Sequence, residues 1–297
     1  MGLAIGVLAT QRIAVGAVEN SHLAGEMRIF PESGNEPDYL EKMHADEIVE
    51  QIQQQIALFK EEHVIDAVGV GIPGIICEGV IEDSPNLTQM KGQNLAADLS
   101  SRLAQAGLQA PVHVVNDADA EAAGIAAKRG HLDKLVRVWT LGIGIGYGRY
   151  PQLSGPGEGG HITVTLDPKE NLCQCGGIGH LEGIMGYHAM RRRFLDMEPE
   201  EVFEQAKSGD ARCKTFVELW HRALAAATAN SVHLEGPGKF YITGPNARFV
   251  ETHTVQLYLQ EMDKMTTLQG SALEVISAGD EVGVIGAAIS ARLALSA

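Results

Sequence analysis

Gly157-Glu158-Gly159-Gly160-His161, followed by Cys173-Gln174-Cys175-Gly176-Gly177-Ile178-Gly179-His180-Leu181-Glu182, is the stretch on which this chain's reading turns. Glycines let the backbone turn tightly and pass close to a ligand. Cys173-x-Cys175, with His161 upstream and His180 downstream, supplies the four soft or borderline donors that a tetrahedral Zn²⁺ takes. Glu158 and Glu182 are left over for a polar ligand. The bland alternative is a glycine-rich loop with two free thiols. Four donors in one short span favour the metal.

Working outward, strands and helices alternate on both sides of this stretch. Upstream, residues 3–8 and 13–18 read as two strands joined by a short turn, with a third near 27–30. Residues 31–37 read as loop, 44–62 as an amphipathic helix, 64–72 as a strand stopped by Pro73-Gly74, and 79–81 as an edge strand. A helix follows over 94–106, a strand over 112–115 ending at Asn116-Asp117, and an alanine-rich helix over 118–129. Residues 136–145 read as a strand that dissolves into glycines, and 162–166 as another strand. Downstream, helices are expected over 188–195, 211–232, 250–265 and 284–295, with strands at 240–243 and 273–276. The pattern predicts an α/β protein of two domains facing a cleft: 1–117, completed by 284–297, and 118–283 carrying the metal loop.

Length and charge narrow the function classes. At 297 residues the chain exceeds one ordinary core. A formal net charge of −15 opposes binding to nucleic acid or an anionic membrane. Four cysteines, two of them in the Cys-x-Cys, do not make a disulfide framework, so a reducing cytoplasm is expected. No apolar run is long enough to span a bilayer, and the apolar start lacks the basic flank of a signal peptide.

Asn116-Asp117 sits where a strand gives way to a helix, the place where open α/β sheets bind ligands. An aspartate there can accept a proton from a substrate hydroxyl, with the neighbouring amide orienting it. Equally, Asp117 can simply cap the helix.

Several segments occur in a telling order: Gly69-Val70-Gly71-Ile72-Pro73-Gly74, Ser84-Pro85-Asn86-Leu87, Asn116-Asp117-Ala118-Asp119, Gly142-Ile143-Gly144-Ile145-Gly146, Glu158-Gly159-Gly160-His161 and the Cys173–Glu182 run. Together they resemble the ROK family of bacterial sugar kinases and sugar-responsive repressors, over essentially the whole chain. The resemblance implies the two-domain actin-like ATPase (ribonuclease H-like) fold. It implies a carbohydrate kinase transferring a phosphoryl group from ATP, with Mg²⁺, to a hydroxyl of a hexose or amino sugar. Asp117 would be the general base. Gly74, Asn116, Glu158, His161 and Glu182 would hold the other sugar groups, and His161, Cys173, Cys175 and His180 would hold zinc. A homo-oligomer, dimer or tetramer, is implied as well. The family's repressors carry a DNA-binding domain ahead of the first strand; none is expected here.

The chain departs from the family pattern in three places. His180 stands where the family has a third Cys. The phosphate turn Asp-x-Gly-Gly-Thr-Lys, counted back from Ile13, becomes Val7-Leu8-Ala9-Thr10-Gln11-Arg12. The second phosphate loop reads Gly142-Ile143-Gly144 instead of Gly-Thr-Gly, and the nucleoside loop reads Gly244-Pro245-Asn246, with no N–H at Pro245. Nucleotide-side contacts are therefore expected from Thr10, Gln11, Arg12, Gly142, Gly144 and Gly244. Two further readings stay open: a sugar sensor or pseudokinase that has lost ATP binding, and a different acid/base reaction on a sugar phosphate.

Overall fold

The computed structural model describes residues 3–32, 39–60, 64–152 and 157–295. Most of the expected loop at 31–37 and the end of the expected helix at 61–62 lie outside these residues. Contacts divide the chain into two units: Met1–Val136 with Gly148–Gly157 and Ala278–Ala297, and Arg137–Tyr147 with Glu158–Ser277.

In the first unit, β1 (Leu3–Ala9) and β2 (Ile13–Glu19) form an antiparallel hairpin. Two short strands, β3 (His22–Leu23) and β4 (Arg28–Phe30), extend β2. Helix α1 (Ala45–Ala57) buries Ile48, Val49, Ile52 and Ile56, one stripe at helical spacing. Strand β5 (Ile65–Ile72) lies parallel to β1, and the small hairpin β6 (Ile75–Cys77) and β7 (Val80–Asp83) follows it. Helix α2 (Leu95–Gln105) is capped by Asn94, whose side-chain oxygen accepts the Ala97 N–H at 3.0 Å. Strand β8 (Val112–Asn116) pairs parallel with β5 and leads into α3 (Asp117–Lys128), giving the sheet order β3-β2-β1-β5-β8. Strand alternation divides β1 between two cores. Ile5, Val7 and Ala9 join the cluster under α1 and α2, whereas Ala4 and Leu8 face the other side.

The second sheet has the order β10-β9-β11-β12, from β9 (Val136–Leu141), β10 (Ile145–Tyr150), β11 (Lys239–Thr243) and β12 (Ala272–Val275), and all of it except Val136 and Gly148–Tyr150 belongs to the second unit. Its helices are α4 (Leu181–Met185), α5 (Tyr187–Arg193), α6 (Pro199–Ser208), α7 (Ala211–Glu235) and α8 (Thr252–Met262). The 25-residue α7 starts at an Asp210 cap and buries Phe216, Trp220 and Leu224. The last helix, α9 (Asp280–Ala294), returns to the first unit and packs on β1, β5 and α3. That approach is close: a Cβ at Gly286 would collide with the Ala120 carbonyl, and one at Gly69 with the Ala287 carbonyl. No helix among the described residues is long and apolar enough to cross a membrane.

Four sequence expectations need correction. Residues 162–166 do not form a strand; Thr163 makes a single bridge with His180. The bridge consists of Val164 N–H on Gly179 O and Leu181 N–H on Ile162 O, and it does not extend into a ladder. Conversely, the glycine-rich 145–150 segment is a strand, because β9 supplies a ladder that outweighs the glycine penalty. Helix α6 was not expected; Pro199 at its start and a Glu198/Glu201 capping box begin it. The first unit also runs on to Val136 instead of ending at 117, since α3 packs against α9.

Candidate functional site

In the first unit, β8 ends at Asn116 and α3 begins at Asp117. The cap is Asn116, not Asp117: its side-chain oxygen accepts the Ala118 N–H at 2.8 Å, and its Nδ2 donates to Gly74 O at 2.9 Å. Asn116 thereby ties the turn after β5 to the start of α3, and Asp117 occupies the first helical position. The Gly74 turn is held from below by Ser84, whose buried hydroxyl donates to Pro73 O at 2.7 Å.

The turn between β1 and β2 is a tight one, closed by Thr10 N–H on Arg12 O at 3.1 Å. The Arg12 guanidinium donates to the Asp280 carboxylate at 2.7 Å, at the start of α9. A salt-bridged Arg12 is engaged by this chain's own carboxylate. Val7, which counting places at the family's metal-holding aspartate, is fully buried in the core. Leu8 instead lies beside Gly71 and Gly283, with Asp117 Cα also close to Gly71. Both positions are apolar, so the turn offers no carboxylate for Mg²⁺ and lacks the glycine pair that would present N–H groups to phosphate. These residues do not fit a hydrated Mg²⁺ held from β1.

In the second unit, four donors converge. The Cys173 and Cys175 sulfurs are 3.3 Å apart; Cys175 Sγ lies 3.2 Å from His180 Nδ1, and Cys173 Sγ lies 3.5 Å from His161 Nδ1. The four ligand atoms all lie within 4.8 Å of one another. A tetrahedral zinc with bonds of about 2.0–2.3 Å needs ligand separations of about 3.3–3.8 Å; the three contacts above lie close to that range, and the remaining separations, within 4.8 Å, would draw in around the ion. Burial pushes the Cys173 thiol up to about 12, with the Cys175 side chain and Glu182 adding to the rise, so without a cation beside it Cys173 is a neutral thiol. Burial, with His161 next to it, also lowers the His180 imidazole, favouring the neutral form that binds metal. The loop is anchored by an ion pair between Arg193 and the buried Glu170.

Glu158 precedes a 3-10 turn (Gly159–His161) that ends on His161. His161 turns Nδ1 to the thiols and Nε2 toward Glu158, 3.9 Å from its Oε2. Glu182, in the first turn of α4, accepts the Ile145 N–H at 3.1 Å and the Cys173 thiol at 3.7 Å. The Gly142-Ile143-Gly144 loop closes on itself, Gly142 N–H to Gly144 O at 3.0 Å. Asn246 Nδ2 and Tyr187 N–H both donate to Gly142 O, at 3.0 and 3.2 Å, which brings the loop after Gly244 against it. Within each unit, then, the expected residues gather: Gly74 with Asn116 and Asp117 in the first, and the metal donors with Glu158 and Glu182, and Gly142 and Gly144 with Gly244, in the second. The supporting roles of Asp280, Tyr187 and Asn246 had no local sequence signal.

The sequence profile of the ROK family matches residues 25–293. The chain belongs to the ROK family. The ROK hexokinase of Thermus thermophilus superposes with a TM-score of 0.78 at 22% identity, covering 99% of each chain. The ROK family glucokinase of Streptomyces griseus, solved with glucose and AMPPNP, superposes at 0.66 and 24% identity, over 98% of this chain and 100% of that one. These likenesses establish the two-domain actin-like ATPase fold. In sequence, the glucokinase of Pyrobaculum calidifontis is 29% identical over 239 residues, 75% of this chain and 77% of that protein.

Proposed function

We propose that this ROK protein is a carbohydrate kinase acting on a hexose or amino sugar, with Asp117 as general base. The observation that carries the reading is the Asn116-Asp117 junction. Asn116 does the capping and grips Gly74 O, so Asp117 is not needed as the cap and stands at the carboxyl end of β8. Similarity to glucokinases supports the substrate class. In the reaction, Asp117 takes the proton of the sugar hydroxyl. The hydroxyl oxygen bonds to the γ-phosphorus of ATP, the bond to the bridging oxygen breaks, and ADP leaves. As candidate sugar ligands we assign Asn116 in the first unit and Glu158, His161 and Glu182 in the second, groups that accept from or donate to hydroxyls in fixed directions. Zn²⁺, held by His161, Cys173, Cys175 and His180, would supply rigidity to that wall rather than chemistry.

The test is incubation with Mg-ATP and glucose, mannose, N-acetylglucosamine and N-acetylmannosamine, following ADP and sugar phosphate. Turnover is expected, falling about 10²–10⁴-fold in Asp117→Ala. A specific observation favours a second reading, a sugar-binding protein without phosphoryl transfer: the β1–β2 turn lacks carboxylate and glycines, and Arg12 is held by Asp280. Absence of turnover and of nucleotide binding, with sugar still raising the melting temperature, would replace the first reading by the second.

A further inference from the structure

The 3-10 turn that follows Glu158 and ends at His161 opens on Gly159 and Gly160, which have no side chain to hold it down. Its seat lies in the strands beneath. A Cβ at Gly159 would fall against the Tyr147 side chain, 2.7 Å from the ring's first carbon, and 3.0 Å from the Trp139 ring. A Cβ at Gly160 would collide with the Ile145 carbonyl. The turn therefore rests flat on Tyr147 and on the start of β10.

Tyr147 is itself locked. Its ring lies against Trp139, centroids 4.5 Å apart. Its hydroxyl is 2.7 Å from Ser231 Oγ and donates to Glu235 Oε2 at 2.7 Å, both residues being on the last turns of α7. Ser231 also donates to Glu235, at 3.1 Å. Behind them the fully buried Arg137 donates to Ser231 Oγ at 3.1 Å and to Gly236 O at 2.9 Å. Its guanidinium stacks over the Phe240 ring at 3.9 Å and lies 3.7 Å from the Glu235 carboxylate. A buried guanidinium holds its carboxylate firmly, since separating the two leaves an uncompensated charge. The phenol thus has a fixed acceptor and the ring a fixed orientation.

We propose that Tyr147 is the positioning residue for Glu158 and His161, transmitting the rigid Arg137–Ser231–Glu235 cluster at the end of α7 to the turn that faces the sugar. The inference rests on the reading of Glu158 and His161 as sugar ligands. It assigns Tyr147 no contact with substrate. Loss of its hydroxyl frees the ring to rotate, and the turn above it loses its fixed height; bound sugar hydroxyls then meet misaligned partners.

The experiment measures calorimetric Kd for the four sugars above, zinc content, kcat at saturating sugar and melting temperature. Tyr147→Phe keeps the ring and removes the anchor. Sugar Kd is expected to rise about five- to tenfold, with zinc stoichiometric and kcat within about twofold. Glu235→Ala should reproduce the effect, and Glu235→Gln, which keeps an acceptor for the phenol, should recover most of it. A lowered melting temperature with unchanged Kd in Tyr147→Phe would mean a purely structural role and overturn the proposal. Glu158→Gln separates the two layers. If it weakens sugar while Tyr147→Phe does not, the positioning role alone falls. If it leaves Kd unchanged, the sugar reading falls and takes the positioning role with it.

Discussion

At the scale of single residues, four side chains that could hold a metal come from 20 residues of sequence, His161 to His180. His180 is the one that departs from the family pattern, and its Nδ1 is 3.2 Å from Cys175 Sγ. His180→Ala should weaken zinc binding at least tenfold, whereas His180→Cys should keep it, as a chromophoric chelator competition would read. Undiminished zinc affinity in His180→Ala would remove His180 from the ligand set. These donors were legible in the sequence because Cys-x-Cys spacing and nearby histidines are local facts. Tyr147 was not. Its partners Ser231 and Glu235 lie 84 and 88 residues away, and no local pattern marks a tyrosine among glycines as an anchor. Asp117 shows a subtler case. Spacing put a carboxylate at the strand end, but only the Asn116 side-chain geometry decided which of the two neighbours caps α3.

At the scale of elements, α7 shows how one buried imidazole joins a helix to the segment after it. His221 Nδ1–H donates to Val217 O at 2.8 Å, and Nε2 accepts the Glu251 N–H at 3.0 Å, just ahead of α8. Both ring nitrogens are satisfied only in the neutral form, and burial lowers the imidazole below its ordinary 6.5. His113 in β8 is lowered by burial as well. The sign follows from proton uptake. The unfolded chain binds these protons as pH falls through 6.5, the folded chain only at lower pH, so stability is full above 6.5 and is lost below it. Melting temperatures measured from pH 7.5 down to 5 should fall below pH ~6.5, and His221→Gln should flatten that slope while leaving the share of His113. Equal slopes in the two proteins would exclude His221. The elements misread from sequence fail for a common reason. Residues 145–150 look like a loop until β9 pairs with them, and 162–166 look like a strand but find only the one bridge to His180.

At the scale of the molecule, both tryptophans, Trp139 and Trp220, belong to the second unit, which also holds the four candidate metal donors. Tryptophan fluorescence therefore reports on that unit alone. Zinc at about 100-fold over its Kd contributes about 2.7 kcal/mol. At about 2–4 °C per kcal/mol, stripping it with a chelator should lower the fluorescence-detected melting temperature by about 5–10 °C. Restoration by added Zn²⁺ completes the test; a melt indifferent to chelator and zinc would deny the ion a structural role. The first unit is closed by α9, whose small residues let it lie against β1, β5 and α3.

Composition, spacing and local pattern were enough for the α/β class, the family likeness, the gathering of His161, Cys173, Cys175 and His180 and the Asn116-Asp117 junction, because each is built from short motifs whose residues are neighbours in the chain. Tertiary structure alone decided that Val7 faces the core and Leu8 the opposite side, that Arg12 is taken by Asp280 from 268 residues away, and that Tyr147 is clamped by the end of α7. Those facts follow from which face of a strand is buried and which distant side chains packing brings within hydrogen-bond reach, and neither is written in any short stretch of sequence.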